Sequence, residues 1–197
     1  MTTQQSTQSK TKDLERIKAV VREFLSKYQY LYEKRIQKLV FYGEIYCLIN
    51  FGSRLTNANF KPYMYGSFSE DIREALAELD DEGVQTEEVL INGKWVTKYI
   101  GEEVDGGNLS APLAAIVDAV HQQTRSQSTE ELAQFSKQNW LFEQTEYGDP
   151  MDFDEFAEKL GNEIDISRYS DLDVGVEDDE LIRKFREALE DEISNSS

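Results

Sequence analysis

Apolar or small residues recur at Ile36, Leu39, Val40, Gly43, Tyr46 and Cys47, the spacing that sets one face of an α-helix against a core. Phe41, Ile45, Leu48 and Ile49 fill much of the opposite side. A helix apolar nearly all round must be covered by neighbours, so this segment is expected to be the central helix of the domain. Ahead of it, Leu14, Ile17, Val21, Phe24, Leu25 and Tyr28 predict an amphipathic helix over residues 12–29 with its basic residues outward. No Gly or Pro separates the two, and the bend between them is placed near Tyr30–Tyr32.

Further along, Tyr65-Gly66 reads as a turn, and Ser69 with Glu70 and Asp71 as the cap of a helix that buries Ile72, Ala75, Leu76 and Leu79 and stops at Gly83. Residues 86–91 and 94–100 flank Asn92-Gly93, a pair suited to the positive φ angles of a tight hairpin turn. After a polar loop at 101–107, a helix starting at Asn108 or Ser110 tolerates Pro112 in its first turn and turns Leu113, Ile116, Val117 and Val120 inward. Ser128-Thr129-Glu130-Glu131 forms a capping box ahead of Leu132 and Phe135. A short helix over 151–160 carries Phe153, Phe156 and Leu160, residues 162–180 read as an acidic linker, and a last helix over 179–193 repeats Ile182, Phe185, Leu189 and Ile193. The expected fold is mainly α (α+β), a compact helical domain around a buried central helix with one β-hairpin. Its parts are a flexible tail at 1–11, a helical domain at 12–160, and the acidic linker with its C-terminal helix at 161–197.

Composition adds charge to this picture. The net charge of −18 is unevenly spread: residues 1–38 are net +5 and residues 142–197 net −14. Acidic surfaces of that density repel nucleic-acid phosphates and attract basic partners. The total alone fits either an acid-rich proteome, as in a halophile, or a basic partner. Pairing of the basic N-terminal helix with the acidic C-terminal segment accounts for the same residues within one chain. No run of about 18–20 apolar residues is present to cross a bilayer, so a cytoplasmic protein without membrane contact is expected.

The sequence offers little chemistry. A lone His121 and a lone Cys47 fall short of a zinc set, and Cys47 fits a buried small hydrophobe. Asp149, Asp152, Asp154 and Glu155 lack calcium-loop spacing and read as helix-start acids. Asp105-Gly106-Gly107-Asn108 is no phosphate loop. No catalytic, cofactor or metal residue is assigned, and an enzyme is not expected. Helices followed by a hairpin also permit a winged-helix DNA-binding regulator, but Arg73, Lys94 and Lys98 would supply few phosphate contacts.

Aromatic residues remain, with ten Tyr and ten Phe. Tyr63, Tyr65 and Phe68 are expected to border a groove, with Trp140 buried near them, as a surface for a partner. Ile36 to Tyr42, the stretch Phe60 to Gly66, Ser69, and the run from Ser128 to Trp140 resemble the Panacea-domain family of SocA-like antitoxins. Such chains typically carry a Leu-Gln-Lys-Leu-Leu-Tyr-like helix, an aromatic stretch ending in Tyr-Gly-Pro, and later a helix leading to a Trp. Ser67 stands where the family usually has Pro, and Phe135-Ser136-Lys137 where it often shows Thr-His. The resemblance implies an antitoxin that binds a cognate toxin directly, without chemistry of its own, toxin identity being carried by surface and end segments. On that reading the acidic stretch from Asp171 to Glu180 and the last helix, with Phe185 and Leu189, contact a basic toxin.

Overall fold

The computed structural model describes residues 2–175 and 179–194. Its axis is helix α2, Glu33–Phe51, in which every residue from Ile36 to Leu48 is buried. The covering is supplied by α1 (Thr2–Leu25), α4 (Ala111–Thr124), α5 (Thr129–Lys137) and α8 (Asp179–Ser194), while α3 (Glu70–Asp81) lies against α1. The short helices α6 (Trp140–Gln144) and α7 (Phe153–Lys159) add Leu141, Phe153 and Phe156 to the same core. A helix this apolar is stable only inside such a shell, because its burial and not its propensity holds it.

Three polar side chains break the apolar surface of α2, and each serves the backbone of the chain that leaves it. Gln37 Nε2 donates to Ser69 O at 2.8 Å, and Ser69 N returns a bond to Gln37 Oε1 at 2.9 Å. Lys38 Nζ donates to Ser67 O. Fully buried Glu44 accepts from Leu55 N at 2.9 Å, from Thr56 N at 3.1 Å, from the Thr56 hydroxyl, and from Arg54 Nε at 3.3 Å. An unpaired buried polar group costs roughly 1–3 kcal/mol, so these groups fix residues 54–69 to the helix. Ser69 occupies the position before α3 but makes no cap with its side chain; Gln37 holds its backbone instead.

The sheet joins β1 (Tyr30–Tyr32), β5 (Lys94–Ile100) and β4 (Thr86–Ile91) in the order β1-β5-β4, all antiparallel. The hairpin between β4 and β5 turns on Asn92 and Gly93, at φ 50° and 77°. A second hairpin, not expected from the sequence, pairs β2 (Lys61–Tyr63) with β3 (Gly66–Phe68). Three-residue strands are too short to display an alternating pattern, which is why β1, β2 and β3 escape a reading by periodicity. Gly66 sits at φ +95°, and a Cβ there would fall 2.3 Å from Ser136 Oγ and 3.1 Å from Ala133 O.

Other sequence expectations shift. Helix α1 starts at Thr2 where a tail was expected, since no Gly or Pro interrupts it. Lys18 and Arg22 of α1 pair with α3: Lys18 reaches Glu78 and Glu82 at 2.9 and 2.6 Å, and Arg22 reaches Glu82 at 2.8 Å, while Arg16 turns to the C-terminal helix and donates to Leu189 O at 2.7 Å. Residues 161–175 are no loose linker, because Ile164, Tyr169 and Leu172 enter the core and Asn50 Nδ2 donates to Leu172 O at 2.9 Å. Residues 176–178 of the acidic stretch lie outside the described residues. The capping box before α5 is present in both directions, Glu131 N to Ser128 Oγ and Ser128 N to Glu131 Oε2. Asp152 caps α7 by accepting from Glu155 N at 2.8 Å, the role expected of those helix-start acids.

Two measurements follow from this packing. Gly66→Ala is expected to lower stability by about 1–3 kcal/mol from backbone strain, with more from the collision at Ser136. Gly83→Ala, at φ +96° with open space around it, should lose only the strain, so urea melts of the two variants separate the terms. Lys38 supplies the second. Its ammonium would lose its proton near 10.5 in the unfolded chain, and in the fold burial, then the charges of Lys34 and Lys137, bring that down to about 7. Between these values the unfolded chain holds the extra proton, so stability rises with pH; below about 7 both states are charged and the burial cost is complete. Wild type should gain on Lys38→Met by up to about 1.4 kcal/mol per pH unit above neutrality. Melts at about pH 6, 7.5 and 9 check it, and a constant difference would show that Lys38 does not titrate there.

Candidate functional site

The N-terminal turns of α2, the β2–β3 hairpin, Arg73 of α3 and the tip of the β4–β5 hairpin enclose a cleft of about 530 Å³. The clamps of Gln37 and Lys38 place it, since they set β3 and Ser69 across the start of α2. Tyr63, Tyr65 and Phe68 form one wall, and Ile91 and Val96 the facing one. Tyr63 packs on Phe68 with ring centroids 5.4 Å apart and stacks on Tyr147 at 5.2 Å, which stiffens the aromatic wall.

The electrostatics of the cleft run against those of the chain. Lys34, Lys38, Arg73 and Lys94 line it with a single acid, Glu33, which is taken by Arg73 at 3.1 Å. Lys34 Nζ lies 5.3 Å from the Tyr65 ring centre and Arg73 lies 4.6 Å from that of Phe68, so cations cover both ends of the aromatic wall. Lys38 and Lys94 have no carboxylate partner among the described residues. Lys38 is 3% exposed, and its three N–H donors meet one acceptor, Ser67 O. A buried ammonium without a counter-charge is the kind of group an incoming anion stabilises.

The β4–β5 hairpin presents apolar side chains on both of its faces. Opposed residues of an antiparallel pair share a face, so Ile91 and Lys94 point with Val89 and Val96 toward the cleft, while the Leu90–Trp95 pair points away. Leu90 and Trp95 are 60% and 70% exposed, and Met64 at the other hairpin tip is 65% exposed. Apolar side chains so open at two adjacent hairpin tips have the character of an interaction surface.

Of the residues singled out from the sequence, Tyr63, Tyr65 and Phe68 come together in the cleft. Trp140 does not join them: Asn139 caps a new helix by accepting from Leu141 N, and the half-buried indole packs on Phe156 at 6.2 Å. Phe185 and Leu189 are committed within the chain. Phe185 stacks on Phe51 at 4.7 Å, and Leu189 is 1% exposed with its carbonyl accepting from Arg16. Lys34, Lys38 and the Leu90–Trp95 pair were not foreseen, and Arg73 and Lys94 were weighed only as phosphate contacts. The available signals were a lysine between Gln37 and Leu39 on an otherwise apolar helix and a Trp on an edge hairpin.

No group of three His, Cys, Asp or Glu that could hold a metal occurs among the described residues, and no helix there is long and apolar enough to cross a membrane. His121 packs edge-on against Tyr28 at 4.9 Å, with its imidazole pushed below the usual range by burial and then by Arg125 and Lys27. Cys47 is fully buried, and that burial pushes its thiol well up, away from the reactive thiolate.

Residues 36–141 match the model of the SocA-like antitoxin Panacea domain. No curated protein and no solved structure matches. The matched segment begins at the first buried residue of α2 and takes in β2, β3, α3, β4 and β5, so it contains the cleft residues of both hairpins and the Gln37 and Lys38 clamps. Over half its length and through the elements that build its cleft, the chain belongs to the SocA-like antitoxin Panacea-domain family.

Proposed function

We propose that the protein is an antitoxin that neutralises its cognate toxin by direct protein–protein binding, through the face formed by the cleft and the two hairpin tips. The observation that carries this reading is the concentration of exposed apolar side chains at the two hairpin tips that border the cleft, Met64 and Tyr65 on one and, on the face of the other turned away from the cleft, Leu90 and Trp95, all four inside the family-defining segment. Aromatic side chains flanking a concave apolar patch are the usual anchors of protein interfaces. The contact masks the toxin, and no bond is made or broken by the antitoxin.

A DNA-binding role draws less support from the same structure. Helix α3 packs on α1, and its Arg73 is tied to Glu33 and Glu70 at 3.1 and 3.6 Å. The basic residues of α1 that could meet phosphates are largely neutralised by α3 carboxylates.

Truncation after Leu160 is a poor test of binding, because it strips Ile164, Tyr169, Leu172 and Leu189 from the core. Surface substitutions are better. Co-expression with its cognate toxin is expected to give a complex that co-purifies with wild type. Leu90→Ser combined with Trp95→Ser should weaken it about 100-fold or more and abolish growth rescue, at two anchors worth about 2 kcal/mol each. Because both side chains are exposed, thermal unfolding should barely move. A toxin neutralised without any complex would overturn direct binding.

A further inference from the structure

The cleft is basic in a chain of net charge −18, and that contrast describes its occupant. Elsewhere cations are mostly paired: Lys18 sits among Glu15, Glu78 and Glu82, Lys27 between Glu23 and Asp118, and Lys159 between Glu155 and Glu163. With 39 acids available to supply partners, the cleft keeps Lys38 and Lys94 without one among the described residues. Lys34 and Lys137 both bear on Lys38 as like charges, which an incoming carboxylate would relieve.

We propose that the cleft receives an acidic segment of the toxin, a carboxylate meeting Lys38 and Lys94 while the apolar side chain next to it lies against Tyr63, Tyr65 and Phe68. This rests on the direct-binding reading and adds the chemistry of what is bound. The aromatic wall and the facing Ile91 exclude a merely charged occupant, since burying them needs apolar surface on the partner. The cavity, about 530 Å³, has room for two or three side chains and not for a folded element. A nucleic-acid strand fits less well, because its phosphates would extend from four local cations into a strongly acidic surface.

The test uses the full-length chain and purified toxin. Lys94 lies at an exposed hairpin tip, so Lys94→Glu should fold as wild type. It is expected to weaken the complex about tenfold or more, and to flatten the loss of affinity with rising salt. Overlapping toxin peptides read by fluorescence anisotropy should yield one acidic, aromatic-containing peptide that binds wild type and loses affinity for Lys94→Glu. Reversal of its carboxylate to Lys in the toxin should restore binding to Lys94→Glu.

Unchanged affinity of the toxin for both Lys94→Glu and Lys38→Met overturns the acidic segment while leaving direct binding intact. Absence of any complex with wild type overturns both. Saturable binding of ATP or a short oligonucleotide to the cleft, with the toxin complex insensitive to Lys94→Glu, assigns the site to a small anion or nucleic acid instead.

Discussion

The structure depends on α2 being satisfied from both sides. Its apolar surface needs a complete shell, yet a shell built only from side chains would leave the irregular segment after Phe51 with buried, unpaired backbone groups. Gln37, Lys38 and Glu44 resolve this by reaching out of the helix to that backbone. Glu44 gathers three donors from Leu55 and Thr56 as well as Arg54, so its charge is compensated by geometry as well as by an ion. Lys38 has no such compensation. Its ammonium meets only the Ser67 carbonyl, and it opens into the cleft.

The two positions at which this chain departs from the usual family pattern meet each other. Where the pattern has Pro after Gly66, Ser67 carries an N–H, buried and in need of an acceptor. Ser136 Oγ supplies it at 3.1 Å while donating to Ala133 O at 2.9 Å, and Ser136 lies in the Phe135-Ser136-Lys137 segment that replaces Thr-His. The Ser67 side-chain hydroxyl makes no bond of its own, so what the position gains over a proline is the N–H alone, its carbonyl accepting from Lys38 as a proline's could. One departure creates a donor and the other satisfies it, and Gly66 between them has no room for a side chain.

Much of this was legible from sequence where the signal is local. The buried helix α2, the Asn92-Gly93 turn and the capping box at Ser128 each rest on a few adjacent residues, and each forms as read. Signals that need a distant partner were not legible. Strand β1 exists because β5 pairs with it, and Lys18 and Arg22 of α1 find their carboxylates on α3, though the C-terminus carries more acid. Ile164, Tyr169 and Leu172 show no period because each enters the core separately from an irregular segment. The site divides the same way. Tyr63, Tyr65 and Phe68 cluster because they share one short hairpin, whereas Trp140, Phe185 and Leu189 are drawn into other packing by contacts with Phe156, Phe51 and Arg16.

Charge acts at two ranges in such a molecule, and the ranges select different things. Fields of exposed charges decay over about 8 Å at physiological salt, so an approaching partner senses the acidic surface as a whole before it senses any pocket. That surface favours a partner of net positive charge and slows polyanions. At contact the balance inverts, because Lys34 and Arg73 in the cleft are answered by Glu130, Glu33 and Glu70, while Lys38 and Lys94 have no carboxylate partner among the described residues. A partner that is basic overall but presents an acidic segment beside an apolar side chain satisfies both conditions. A uniformly basic partner satisfies only the first and leaves Lys38 unanswered. A polyanion satisfies only the second. Selectivity of this kind needs no large interface, because each candidate with the wrong distribution fails at one of the two steps.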